Sequence, residues 1–545
     1  MPYKVIVFQK RVKFPVLFVR RFIKNSLVSM LLISPLVLDV EAATYYVDST
    51  GGNDANSGTA TNSAWQTLIK VNGTIFQPGD SILFRTGGSW IGTLSPCGSG
   101  ISGNPIIISS YGTNQTMPLI NGNGNTDAVI LTNQQYWEIN NLEVVNPAST
   151  DAERRGIHLC AANYGLASHL HISNCYIHNI HGKVDTSNGD QVAKRSGGIV
   201  VEVTGDTVVA TRFNDIIIQN CTISSVTNQG IVACGNRSGR GDYPGTPAWN
   251  ARHCSNLIIR NNVINDVCKN AMSIRYCDES CLVEHNVMFD TANATDGNTI
   301  CSYGCRGTVF QYNEGYRNNG DGRHDGSLYD ADLRSPQTVW QYSYSHDNSW
   351  GLFVQYAAAG GHDTNIVVRY NISRNDKGDV FALSGDREAV SSEYIYNNTI
   401  YTPTNLSPTL IDDRSSGHAS CFYNNIFYNL SSTAVYHLGA GNSNHFDYNV
   451  FYGQHPVVEP GDPHKLTTDP KLMAPGTGAN GVNTVIGYKL QSGSPCIDSG
   501  LTITTNVTGN PNAGGLDYWG NSVPFNGATD RGANEWWRRT WLFKD

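Results

Sequence analysis

The chain has 545 residues, 55 of them Gly, with 15% charged residues and a formal net charge of −8. Length alone allows several domains. A composition rich in Gly, Asn, Ser and Thr and poor in charge is that of a turn-rich β-protein, which excludes a helical bundle and a disordered chain. The acidic balance argues against nucleic acid or an anionic membrane as partner.

The first 42 residues read as a secretory leader. Lys4, Lys10, Arg11, Lys13, Arg20, Arg21 and Lys24 precede an apolar run from Leu27 to Leu38. Val40-Glu41-Ala42 then supplies small residues where a signal peptidase reads, so cleavage is expected after Ala42. The apolar run, about a dozen residues broken by Pro35, falls short of the ~20 that a spanning helix needs. The expectation is a secreted protein, extracellular or periplasmic, with no membrane attachment after cleavage. The leader holds seven of the 37 Lys and Arg and two of the 45 acids, so its removal takes the net charge from −8 to −13.

Residues 43–125 are expected to form an N-terminal cap and the first coils, with the segment from Trp65 to Asn72 as a short amphipathic cap. From residue 126 to 455 one pattern recurs: an apolar residue, a polar one, Asn or Tyr, usually Asn again, then alternating apolar residues. It reads INNLEV from Ile139, ISNCYI from Ile172, IQNCTI from Ile218, IRNNVI from Ile259, VEHNVM from Val283 and FQYNEG from Phe310. It continues as WQYSYS from Trp340, VRYNIS from Val368, IYNNTI from Ile395, FYNNIF from Phe422 and FDYNVF from Phe446. From the fourth copy the starts are 24, 27, 30, 28, 27, 27 and 24 residues apart. A period in the twenties with alternating strands and no helical stretches is that of a solenoid, here a parallel β-helix of about eleven or twelve coils. Residues 456–545, rich in Pro and Gly, are expected to cap the far tip, where unpaired strand edges would otherwise template aggregation.

The fourth motif position carries Asn262, Asn286, Asn313, Asn371, Asn398, Asn425 and Asn449, with Cys175, Cys221 and Ser343 in the remaining coils. Coils stack at the strand spacing of roughly 4.8 Å. Inward amides at that spacing can bond up and down the stack, so an asparagine ladder is expected.

With these repeats the chain resembles the right-handed parallel β-helix superfamily of pectate lyases, polygalacturonases and related secreted polysaccharide enzymes. Its opening TYYVDSTGGNDANSGTA and AWQTL, and its later GYKLQSGSPCIDSG and DRGANEW, resemble the ends of those proteins. The resemblance implies an all-β right-handed solenoid and a carbohydrate partner, but no particular activity, since one scaffold hosts many chemistries. No pectate-lyase signature surrounds any Arg, and Gly361-His362-Asp363 departs from the polygalacturonase Gly-His-Gly.

Thirteen cysteines fit an oxidising compartment. Cys277-x3-Cys281 and Cys301-x3-Cys305 look superficially like a thiolate metal site. The repeat register makes Cys277 and Cys305 neighbours on successive coils, so a disulfide or buried thiols are preferred over zinc.

The chemistry is expected on one outward stripe. Aligning the second strands by Tyr329, Phe353, Phe381 and Leu410 turns Asp330, Asp332, Val354, Tyr356, Ala382, Ser384, Ile411 and Asp413 outward, with Asp386 and Arg387 just beyond. The segment from Asp321 to Arg334 also carries His324 and Asp325. Paired carboxylates are what glycosidic hydrolysis needs, one protonating the leaving oxygen and the other attacking or activating water. The expected catalytic set is Asp330, Asp332, Asp386 and Asp413, with Arg275, Tyr303, Trp350, Tyr356 and Arg387 binding a polysaccharide or oligosaccharide. Two other readings stay open: a lyase acting by β-elimination, with Ca2+ on the Asp cluster, and a non-catalytic glycan-binding solenoid. No cofactor is required by the preferred reading. The sugar and the oligomeric state are not legible.

Overall fold

The computed structural model describes residues 41–184, 195–205, 208–234, 243–320, 325–357, 362–385, 390–413, 419–439, 443–503, 515–525 and 527–537. All but two of its strands fall into three long parallel sheets of 14, 13 and 11 strands. The chain visits them in rotation, one strand each per coil, so successive strands of any sheet come from successive coils. We call them sheets 1, 2 and 3. The 11 strands of sheet 3 mark eleven complete coils, from the one starting at Ile106 to the one ending at Leu438. The rotation is the right-handed crossover that parallel strands adopt. Among the described residues no helix is long and apolar enough to cross a membrane.

The recurring motif now has a physical meaning at each position. Its first residue points into the core from sheet 1: Ile218, Ile259, Val283, Phe310, Trp340, Val368, Ile395 and Phe422 are all fully buried. Phe310 and Trp340 stack at 3.8 Å between centroids. Its third residue turns the corner into sheet 2 in the left-handed region, with φ of 55° at Asn261, 52° at Tyr312, 53° at Asn397 and 58° at Tyr448. Asn tolerates that conformation best. Where Tyr takes the place, the rings stack between coils, as Tyr312 does on Tyr342 at 5.1 Å.

The fourth residue is the ladder. Asn262 Nδ2 donates to Asn286 Oδ1 at 3.0 Å, and Asn286 Nδ2 to Asn313 Oδ1 at 3.0 Å. After Ser343 the chain of amides resumes from Asn371 through Asn398 and Asn425 to Asn449, each step 3.0–3.1 Å. All seven are fully buried. Each Nδ2 also donates to a backbone carbonyl of the coil before, as Asn398 does to Val368 at 3.0 Å. At the tip Asp462 closes the ladder, accepting from Asn449 Nδ2 at 2.9 Å.

At the other end a short helix, Leu68–Asn72, lies where an amphipathic cap is expected. Thr67 accepts from the Lys70 N–H to start it, and Leu68 and Val71 are its buried face. Beyond Asp462 the C-terminal segment does more than cover the tip, because it runs back along the flank. Gly481 N donates to Glu314 Oε1 at 2.6 Å, Tyr342 OH to Leu516 O at 3.1 Å, and Asn397 Nδ2 to Gly532 O at 3.0 Å. These contacts fall on sheet 2 and the corner between sheets 1 and 2.

All thirteen cysteines are free, and of the two states expected for Cys277 and Cys305 the structure has buried thiols and not a disulfide. They do meet on successive coils. Each thiol instead turns toward a backbone carbonyl, Cys277 Sγ to Arg275 O and Cys305 Sγ to Ile274 O, both at 3.4 Å.

Candidate active site

Sheet 3 presents two outward rows. Ser273, Cys301, Asp330, Val354, Ala382 and Asp412 pair in sequence along the first. Arg275, Tyr303, Asp332, Tyr356 and Ser384 pair along the second. The expected alignment of Asp330, Asp332, Val354, Tyr356, Ala382 and Ser384 is therefore that of the structure.

It slips by one residue at the fourth strand. Phe381 pairs with Ile411, not with Leu410, and Ala382 with Asp412. Each coil enters sheet 3 through a corner with two consecutive core residues: Leu328-Tyr329, Leu352-Phe353, Val380-Phe381 and Leu410-Ile411. Choosing the second member in three coils and the first in the fourth shifts the period-2 pattern and swaps faces. Asp413 is consequently fully buried on the inward side, with Asn444 Nδ2 donating to its Oδ2. It does not share a face with Asp332. Asp386 and Arg387 lie outside the described residues.

The acidic group assembles around a residue that carries no motif. Asn298, fully buried, donates through Nδ2 to Asp325 Oδ1 at 2.9 Å and to Asp330 Oδ2 at 3.0 Å. Its Oδ1 accepts from the backbone N–H of Gly326 at 2.8 Å and of Ser327 at 2.9 Å. One amide thus clamps the turn that carries Asp325 and ties it to the Tyr329–Asp332 strand. Asp330 is only 6% exposed, and one carboxylate oxygen lies within 4.8 Å of one on Asp332. Burial, and then the charges of Asp332 and Asp325, push its pKa well above the usual carboxylate range. Burial and two neighbouring carboxylates therefore favour the protonated form of Asp330. Asp325 and Asp332 are half-buried and reach the surface on either side of it. Nothing but register would have singled out Asn298, because its partner lies a full coil away.

Around the carboxyl groups the rings differ in access. Tyr356, beside Asp332 on the next coil, is 39% exposed and offers a flat face. Trp350 is half-buried against Gly326, whose φ is +135° and where a Cβ would stand 2.6 Å from the indole. Only Gly fits there. Arg275 and Tyr303 occupy the expected row but are 2% and 8% exposed. The reason is the insertion before Cys254: its short helix Pro247–Asn250 lays Trp249 against Tyr276 and Tyr303. Trp249 Nε1 is anchored to Gly304 O at 2.7 Å. Those two residues support the wall of the site and do not line an open path.

For a cation, Cys301, Asp330 and Asp332 bring one atom each within 4.8 Å of one another. A thiol and a protonated carboxyl are poor members of the all-oxygen shell that Ca2+ takes.

A second charged group occupies the same outer face four to six coils earlier. His158, buried, has Nε2 3.1 Å from Glu202 and Nδ1 3.1 Å from Asp127. Burial alone would lower its pKa, but the two carboxylates raise it to about 10. Arg155 and Arg195 complete a closed ion network there.

No family model matches the chain. It is similar to a lacto-N-biosidase of Bifidobacterium longum subsp. longum, 29% identical over 479 residues, which covers 72% of this chain and 29% of that protein. The chain thus spans less than a third of its relative's length. In structure it resembles the GH136 lacto-N-biosidase from Eubacterium ramulus. The selenomethionine crystal matches at a TM-score of 0.59 and 22% identity, over 74% of this chain and 68% of that one. The native crystal matches over the same shares at 0.58 and 20%. At these identities the likeness is one of fold, and the chain is a right-handed parallel β-helix.

Proposed function

We propose that the protein is a glycoside hydrolase that cleaves an oligosaccharide with the carboxyl groups of Asp325 and Asp332. The observation that carries this reading is the Asn298-centred cluster. Two half-buried carboxyl groups flank a third that is buried and has a raised pKa, beside the exposed ring of Tyr356. Hydrolysis of a glycosidic bond uses one carboxyl to protonate the leaving oxygen and another to attack or to activate water. Asp330, coupled to both, keeps the group from ionising as a whole, which is how paired carboxyls keep an acid form near neutrality.

The relative's name supports a substrate carrying a lacto-N-biose unit. The leader-like N-terminus supports action outside the cytoplasm. For β-elimination, which needs a base that reaches the substrate, Arg275 at 2% exposed is too enclosed to serve. The test is incubation with a panel of lacto-N-biose-containing and uronate-containing glycans, with and without EDTA. New reducing ends support hydrolysis, while a product absorbing as an unsaturated uronate overturns it. Azide rescue of the Asp325→Ala and Asp332→Ala variants then tells the attacking carboxylate from the proton donor.

A further inference from the structure

Five cysteines gather in the core at the corner where chain leaves sheet 3 for sheet 1. Cys234 follows the Gln229–Ala233 strand, and Cys254 precedes the Ser255–Arg260 strand. One coil on, Cys277 follows Met272–Arg275 and Cys281 precedes Leu282–Glu284. Cys254 and Cys277 pair directly as a parallel bridge. All four are buried, at most 1% exposed. The sulfurs of Cys234, Cys254 and Cys277 lie within 4.8 Å of one another.

The contacts among the four have a shape. Cys234 meets Cys254 and Cys277, Cys254 meets Cys277 and Cys281, and Cys277 meets Cys281, which makes five of the six possible pairs. Two disulfides would join two pairs and leave the others apart. Three sulfurs are mutually close and Cys281 closes on two of them, so drawing Cys281 toward Cys234 completes a tetrahedron. Around a zinc ion with Zn–S near 2.3 Å such corners stand about 3.8 Å apart. Cys305, on the third coil, touches only Cys277 of the group and stands outside it.

We propose that Cys234, Cys254, Cys277 and Cys281 form a structural zinc site that staples two successive corners of the solenoid. A closed four-thiolate shell leaves no open position for substrate and suits zinc or an iron–sulfur centre over harder ions. The placement gives the staple a purpose. Cys234 and Cys254 flank residues 235–253, of which the described part, 243–253, lays Trp249 over Tyr303 at the wall of the active site. Tying both cysteines to the next coil fixes the base of that wall. This inference stands independently of the reaction proposed above.

The test is metal analysis of the purified full-length protein, by elemental analysis and native mass spectrometry. About one zinc per chain, retained through gel filtration, is expected. Cys254→Ser and Cys281→Ser should lose the metal, while Cys305→Ser should keep it. Should the serine variants fail to fold, cobalt(II) exchange into the wild type decides, since a tetrahedral thiolate site gives intense visible bands and charge transfer. Peptide mapping that finds these cysteines in disulfides, or as free thiols in a metal-free protein, overturns the proposal. Iron in place of zinc overturns the assignment of the metal.

Discussion

Replacing Asn398 by Ala tests whether the ladder holds the solenoid together. Its Oδ1 accepts from the Asn371 N–H at 3.0 Å and from Asn371 Nδ2 at 3.1 Å. Its Nδ2 donates to Val368 O at 3.0 Å, Tyr396 O at 3.2 Å and Asn425 Oδ1 at 3.0 Å. After truncation Asn371 Nδ2 still reaches Trp340 O, and Asn425 Oδ1 still accepts from the Asn398 N–H. The Asn371 N–H loses its ladder partner inside the core. An unmet buried donor costs about 1–3 kcal/mol and each lost internal bond about 1 kcal/mol, so a loss of about 2–4 kcal/mol is expected. The shift of the urea midpoint measures it. Asn398→Asp sharpens the argument. Below the unfolded carboxyl value of about 3.9 the protonated side chain can still donate. As pH rises through its raised folded value, a buried charge faces two carbonyls, so this variant should become less stable than Ala at neutral pH. A change below about 0.5 kcal/mol for Ala, or no pH dependence for Asp, would refute the reasoning.

Asn298→Ala frees the turn that carries Asp325. Turnover should fall about 100-fold with KM nearly unchanged, since a misplacement near 1 Å has that effect; a KM effect alone would contradict it. For Asp330→Asn the sign follows from a raised folded pKa. Wild-type stability held below about pH 3.9 erodes as pH rises through the folded value, and Asn escapes that loss. The variant should therefore gain on the wild type with rising pH in denaturant titrations, and a constant difference would show that Asp330 ionises normally. Tyr356→Ala should raise KM about three- to tenfold by removing the flat ring, with a smaller effect on kcat; unchanged binding would move the sugar path elsewhere.

The solenoid was legible because its strongest signals are local and repeated. An apolar residue every coil, a left-handed corner and an inward Asn recur in register from Asn262 to Asn449. The outward row through Asp332 and Tyr356 was legible for the same reason. The slip at Asp413 arose where Leu410 and Ile411 are both apolar and both buried, so hydrophobicity could not choose between them. Access was not legible either. Arg275 and Tyr303 sit in the right row but are buried, Tyr303 under Trp249 of an insertion from an earlier coil. Asn298 was invisible because its role is defined by residues 27 and 32 positions away. The cysteine cluster was only half seen, since Cys277 meets Cys305 as expected but Cys277 and Cys281 also gather Cys234 and Cys254 from the coil before.

The most direct measurement is turnover of Asp325→Asn and Asp332→Asn on an oligosaccharide that the wild type cleaves, with thermal melting recorded alongside. Each carboxyl contributes about 10²–10⁴-fold to such a reaction, so both variants should fall by at least that much while melting close to the wild type. If either variant keeps full turnover, the bond is cleaved elsewhere on the solenoid and the proposed pair is wrong.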